Sequence, residues 1–235
     1  MRKLKVGVVF GGMSTEHSVS IVSGTSIIKN MNKEKYEIFP IYIDVEGNWY
    51  SYCKDANKID ILNVGDTPNE LIPIDNIFTY LKALDIVFPV LHGLYGEDGT
   101  IQGLFELLKI PYVGCRVLGS CICMDKAYTK VVLQKAGIPQ VKHMYIKKTN
   151  DYFENVNKNV NCELMDIHRL SQKVVKTLGL PVFIKPSNSG SSVGVNKAVT
   201  VEDVEKYIMI ASKYDKKIII EEAINAREVE CAVLG

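Results

Sequence analysis

The stretch Lys185–Gly194, KPSNSGSSVG, sets a lysine at the base of a run of small and hydroxyl residues. Small residues let backbone N–H groups approach an anion, hydroxyls donate to its oxygens, and the lysine adds a point charge. The chemistry open to such a loop is the wrapping of a phosphate. Short apolar strands, Val182–Lys185 and Val193–Ala198, flank it. It is therefore not the glycine-rich turn that opens a helix in Walker and dinucleotide folds. A serine-rich hairpin tip is the plain alternative, and the segment alone does not choose. Further on, IIIEEAINAREVE runs from the apolar Ile218–Ile220 into Glu221 and Glu222, a turn through Asn225, then Glu228 and Glu230. Acceptors ending a strand suit an adenine amine, and a later carboxylate suits paired ribose hydroxyls. A charged hairpin turn explains the same residues and, taken alone, is the simpler account. MDKAYTK, Met124–Lys130, offers Lys126 to a phosphate, although Asp125 near an N-cap also makes an ordinary helix start.

Two further loops lie in the first half. FGGMSTEHSVS puts a glycine pair after an apolar run, with Glu16 and His17 where a helix begins. A carboxylate there can hold a substrate ammonium, while helix N-terminal N–H groups hold an anion. Capping by Ser14 or Ser18 is the structural alternative. LHGLYGEDG carries His92, Tyr95, Glu97 and Asp98 on one glycine-flanked loop, in which Asp98-Gly99 also reads as a plain turn.

These loops need elements to hold them. Lys5–Phe10 is valine-rich with little alternation, the pattern of a strand buried on both faces. A turn at Gly11–Glu16, a helix over Ser18–Asn30, a strand over Tyr36–Ile43, a turn at Gly47-Asn48 before Trp49-Tyr50, a helix over Asn76–Ala83, a strand over Ile86–Val90 and a helix over Thr100–Leu108 follow. Alternating strands and helices predict a parallel sheet covered on both faces, with ligands beyond the carboxyl ends of its strands. In the second half, helices are expected over Ala127–Ala136, Asp166–Leu178 (Gly179 as C-cap) and Val201–Tyr214. Strands are expected over Val141–Ile146, Lys217–Glu222 and Glu228–Leu234. Lys147–Asn161 is polar, asparagine-rich and aperiodic, and reads as a surface excursion. A boundary near residues 121–126 gives domains 1–122 and 123–235. Because the chain stops on an apolar strand that would leave a sheet edge bare, further protein is expected to follow.

Composition narrows the classes. With 235 residues, 47% hydrophobic and 23% charged, the chain has material for a core and a soluble surface. A net charge of +1 gives no basic face for nucleic acid. No apolar run reaches the roughly 18 residues of a membrane helix. The basic-then-apolar start breaks at a glycine pair and reads as a first strand rather than a signal peptide. The six cysteines (Cys53, Cys115, Cys121, Cys123, Cys162 and Cys231) contain no CxxC pair and read as buried thiols in a reducing cytoplasm.

In their order, FGGMSTEHSVS, LHGLYGEDGTIQG, MDKAYTK, KPSNSGSSVGV and IIIEEAINAREVECAVLG closely resemble the D-alanine–D-alanine ligases, ATP-grasp enzymes of cell-wall synthesis, from Lys5 to Gly235. The variable stretch is about residues 147–163. The resemblance implies an α/β fold: a Rossmann-like, parallel-sheet N-terminal domain followed by a partial ATP-grasp domain. It implies ATP-dependent phosphorylation of a first D-alanine, attack on the acyl phosphate by the amine of a second, and release of dipeptide for peptidoglycan precursors. Glu16 would bind the first ammonium, Ser191 would lock that glutamate in a hydrogen-bond network, and His92 would sit near the reacting carboxylate. Lys126 and Lys185 would hold phosphates beneath a lid containing Ser187, Gly190 and Ser192. Glu221 would read the adenine amine, aided by backbone near Glu222 and Ile224, and Glu228 would bind the ribose. Magnesium would bridge the phosphates through ligands beyond residue 235, so the 235 residues alone are expected to be inactive. A cytoplasmic homodimer using two D-alanines and ATP, with no nucleic acid or membrane, is implied. Alternatives are D-alanine–D-serine or D-alanine–D-lactate ligases, a non-catalytic ligand-binding remnant, or a carboxylase-type ATP-grasp enzyme. The last would not be expected to carry the Glu16 and His92 loops together.

Overall fold

The computed structural model describes residues 2–52, 55–155 and 164–232. The chain divides into two compact units, Met1–Thr129 and Lys130–Gly235, which part inside one helix.

The first unit runs β1 (Leu4–Gly11), α1 (His17–Asn30), β2 (Tyr36–Ile43), β3 (Trp49–Tyr52), β4 (Leu71–Pro73), α2 (Ile77–Lys82), β5 (Ile86–Pro89), α3 (Thr100–Leu108), α4 (Val117–Met124) and the start of α5 (Lys126–Lys135). Its five-stranded sheet has the order β4-β3-β2-β1-β5. β1 is central and pairs in parallel with β2 and β5. The sheet is not wholly parallel, because β3 and β4 add an antiparallel edge. The alternation of side chains along β1 explains its composition. Val6, Val8 and Phe10 pack with Ile21 and Ile28 of α1. Val9 packs the opposite way with Leu81, Val87, Ile101 and Phe105. Both faces are buried from Val6 onward, so every position from there to Gly11 is apolar or glycine.

The second unit continues from α5 with β6 (His143–Thr149), β7 (Tyr152–Asn155), β8 (Leu164–Met165), α6 (Ile167–Leu178), β9 (Val182–Pro186), β10 (Asn196–Ala198), α7 (Val201–Ala211) and β11 (Lys217–Glu222). The sheet order is β10-β9-β11-β6-β7-β8, antiparallel at every pairing. One face is sealed: Met144, Ile146, Val182, Ile184, Ile218 and Ile220 pack with Leu170 and Val174 of α6 and Val204 and Ile208 of α7. α7 opens on a capping box between Thr200 and Asp203, and Gly179 closes α6.

Several expectations need correction. Residues 223–232 form neither helix nor strand, so among the described residues no strand covers Glu228–Leu234. β11 is already flanked by β9 and β6, so the chain that follows it cannot pair beside it. The stretch beginning at Lys147 is not aperiodic throughout: β6 and β7 pair through Thr149 and Tyr152, while 156–163 lie outside the described residues. α4 was missed because its N-cap, Arg116, makes no side-chain capping bond that would mark it. Cys115, Cys121, Cys123 and Cys231 are exposed rather than buried, because the short α4 buries only Ser120 and residues 223–232 pack into no sheet. Cys53 and Cys162 lie outside the described residues.

Gly24 tests the seating of α1. A Cβ at this position would overlap Phe10 of β1. Gly24→Ala gains about 1 kcal/mol in helix propensity but overpacks the core at about 1–3 kcal/mol. The expected net outcome is a lower urea midpoint, and a raised midpoint would show that α1 is not held so closely.

Candidate active site

In the first unit, the loops after β1 and β5 leave the carboxyl ends of adjacent parallel strands. Ser20 of α1 is fully buried and joins them. Its Oγ accepts the Gly11 N–H at 2.8 Å and donates to the Val90 carbonyl at 2.7 Å. Gly11 and Gly12 both have φ above +90°, a conformation that glycine adopts without steric cost. Ser14 makes a second bridge. Its Oγ donates to the His92 carbonyl at 2.6 Å and accepts the Glu16 N–H at 3.1 Å. Glu16 itself, not Ser14 or Ser18, is the N-cap residue of α1. Its carboxylate lies against Gly93, where any Cβ would collide with Oε2. Glu16 and the His92 loop are thus brought together at a helix N-terminus.

The two histidines differ. His92 Nε2 is 3.1 Å from Ser23 Oγ, and the residue lines an apolar pocket of about 180 Å3 together with Met13, Trp49 and Leu104. His17 Nδ1 donates to the Gly12 carbonyl at 2.5 Å, which leaves Nε2 to accept from the Tyr42 hydroxyl at 3.1 Å. Burial, and then the nearby Asp44 and Glu46 charges, push the Tyr42 phenol upward and keep it a donor. His17 therefore braces the glycine turn.

In the second unit a charged cluster lies on the sheet face opposite α6 and α7. Strand register puts Phe183, Lys185, Ile219, Glu221, His143 and Tyr145 on this face. Glu221 is its hub. Lys185 Nζ lies 2.5 Å from Oε2, and Lys130 Nζ of α5 lies 2.8 Å from Oε1. The Glu221 and Lys130 side chains are only 13% and 12% exposed. Burial pushes the Glu221 carboxyl up, but the Lys130 and Lys185 hydrogen bonds and charges outweigh it and hold the group below its ordinary value. Lys185 also sits 5.7 Å from the Phe183 ring centroid, and Lys197 sits 5.9 Å from it.

The serine–glycine loop projects beyond β9. Its base is pinned: the Ser187 N–H donates to Lys217 O at 2.9 Å, and the Asn188 N–H and side-chain amide donate to Asp215 at 2.9 and 2.8 Å. Its tip is a tight turn in which Val193 N–H donates to Gly190 O at 3.0 Å across Ser191 (φ 47°) and Ser192 (φ 58°). Two left-handed central residues define a type I′ turn, which ordinarily takes asparagine and glycine.

Not every expected residue falls into these clusters. Lys126 opens α5 in the first unit, Glu16 belongs to the first unit and Ser191 to the second. Glu222 faces away from Glu221, with its carboxylate accepting the Lys142 N–H at 2.8 Å and its own N–H donating to Lys142 O at 3.0 Å. Ile224 is exposed, as is Glu228. Sequence reasoning missed Ser20, Lys130 and Phe183. Lys130 ends the very motif that drew attention to Lys126, whereas nothing local marks the other two. Among the described residues, no group of three or more His, Cys, Asp or Glu side chains could hold a metal ion.

A mixed sheet carrying a carboxylate loop, followed by an antiparallel sheet with a lysine-based serine–glycine loop, defines the ATP-grasp ligase class. Among solved structures, the D-Ala:D-Ser ligase VanG of Enterococcus faecalis is 34% identical with a TM-score of 0.76, over 95% of this chain and 64% of that one. The D-alanine-D-alanine ligase of Coxiella burnetii is 31% identical with a TM-score of 0.77, over 96% and 65%. Residues 5–115 match the D-ala D-ala ligase N-terminus model and residues 132–235 the C-terminus model. The chain belongs to the D-alanine–D-alanine ligase family. The whole chain is 48% identical to the D-alanine–D-alanine ligase of Caldicellulosiruptor bescii and to ligase B of Clostridium tetani, spanning 64% and 62% of their lengths.

The ion cluster sets a pH dependence. A carboxylate held below its ordinary 4.5 adds stability above that pH and loses it as pH falls through the lower folded value. Glu221→Gln should cost about 1.5–3 kcal/mol near pH 7, the range for hydrogen bonds to charged groups. Below about pH 4.5 the gap between the two proteins should close. Equal urea midpoints at neutral pH would show that the cluster contributes nothing.

Proposed function

We propose that the chain carries the first-substrate site and nucleotide-binding residues of an ATP-dependent ligase that joins two D-alanine molecules. The observation that carries this reading is the meeting of the Glu16 carboxylate with the His92–Gly93 backbone at the N-terminus of α1. A carboxylate beside helix N–H groups complements both ends of an amino acid, its ammonium and its carboxylate. Glu16 accepts from the ammonium, and His92 stands beside the reacting end. A carboxylate oxygen of the first D-alanine attacks the γ-phosphorus, and ADP leaves. The amine of the second then attacks the acyl carbonyl and loses a proton as phosphate departs. Such chemistry rests on positioning and on stabilising charge.

In the nucleotide site, Lys185 and Lys126 hold phosphates while Ser187, Gly190, Ser191 and Ser192 supply small, donor-rich cover. Glu221 accepts from the adenine amine, with backbone near Glu222 and Ile224 beside it, and Glu228 takes the ribose hydroxyls. Support comes from the Lys185–Glu221 contact, which puts both groups on the sheet face opposite α6 and α7. Magnesium belongs to this reading only through residues other than those described. The likeness to a D-Ala:D-Ser ligase keeps D-serine as a second acceptor reading, and rates with the two acceptors decide between them.

In the ligase that contains these residues, Glu16→Gln should raise the Michaelis constant for the first D-alanine about tenfold or more while moving that for ATP little, since one charged hydrogen bond to an ammonium is lost. Equal effects on both constants count against the role. Lys185→Ala should weaken ATP binding by a similar factor, and an unchanged ATP constant would make Lys185 structural.

A further inference from the structure

We infer that Lys130 is a positioning residue for base recognition: it holds Glu221 so that the carboxylate presents an oriented, anionic acceptor to a 6-amino purine. This rests on the reading of Glu221 as the adenine contact. Glu221 has two cationic partners, and they are not equivalent. Lys185 lies at the base of the serine–glycine loop, with its side chain 26% exposed and its ammonium also over the Phe183 ring. It is the partner that can turn toward a phosphate. Lys130 comes from α5, is 12% exposed, and has a second acceptor in Gln140 Oε1 at 3.3 Å. Held from two sides, it has no comparable route to an exposed anion.

When Lys185 shares its charge with a triphosphate, Lys130 becomes the dominant counter-charge to a largely buried carboxylate. An ionised carboxylate rejects a 6-oxo purine, which presents a carbonyl oxygen where adenine presents an amine. The same carboxylate, no longer fixed or able to take a proton, tolerates both. Lys130 therefore acts on selectivity through Glu221 without touching the nucleotide.

The test titrates ATP and ITP, each to millimolar concentration, into the protein and its Lys130→Met, Lys130→Arg and Glu221→Gln variants. Thermal melts confirm folding. The parent should prefer ATP. Lys130→Met should weaken ATP about tenfold, the loss of one charged hydrogen bond, and leave ITP nearly unchanged, while Lys130→Arg should restore the preference. In the Glu221→Gln background, adding Lys130→Met should change selectivity no further, since coupled residues are non-additive. A parent that binds ATP and ITP equally, or neither, overturns the adenine reading of Glu221 and leaves the role of Lys130 without a base. A selective parent whose Lys130→Met variant weakens both nucleotides equally overturns the inference alone. If Lys130→Met fails to fold, Lys130→Gln and the Arg variant decide: selectivity must fall in the first and persist in the second.

Discussion

A buried hydroxyl must find both a donor and an acceptor, and Ser20 does so across the gap between β1 and the chain after β5. That requirement fixes more of the first unit than any single apolar contact. It places the glycine turn beside the start of the His92 loop, and Ser14 repeats the tie one turn further out. Glu16 reaches the Gly93 backbone only because both connections hold. The apolar faces of β1 supply the energy of the fold, whereas these hydroxyls supply its register.

The second unit solves a different problem. A sheet with one sealed face can keep charged groups on the other only if they are matched. Glu221 is matched twice, by cations from β9 and from α5. The pairing links a helix at the start of the unit to its last described strand. The serine–glycine loop is anchored at its base by Asp215, which leaves only its tip in an unusual backbone conformation.

Much of this was legible in the sequence. The doubly buried β1 and the bounds of β11 came from composition and pattern, and the order of five short motifs pointed to the family. What stayed illegible has physical causes. Ser20 is one serine in a helix, and its partners are 9 and 70 residues away. Lys130 carries no local mark, because its partner lies on a strand 91 residues on (221 − 130). Phe183 is one apolar residue in a short strand, and only its register opposite Glu221 puts it beside the charged cluster. The apolar, alternating run after Glu228 looked like a strand, but a strand exists only where a neighbour offers hydrogen bonds.

The tip of the serine–glycine loop has a further consequence. Ser191 and Ser192 occupy backbone positions where asparagine and glycine would sit with less strain. A sequence selected for folding alone would drift toward that pair, gaining turn stability and losing two hydroxyls. Mutational scans that score abundance should therefore rank such replacements as neutral or beneficial, while, on the proposed role of the loop, scans that score growth would rank them as damaging. The disagreement between the two maps, rather than either one, would mark where this chain has kept chemistry at the expense of its own geometry.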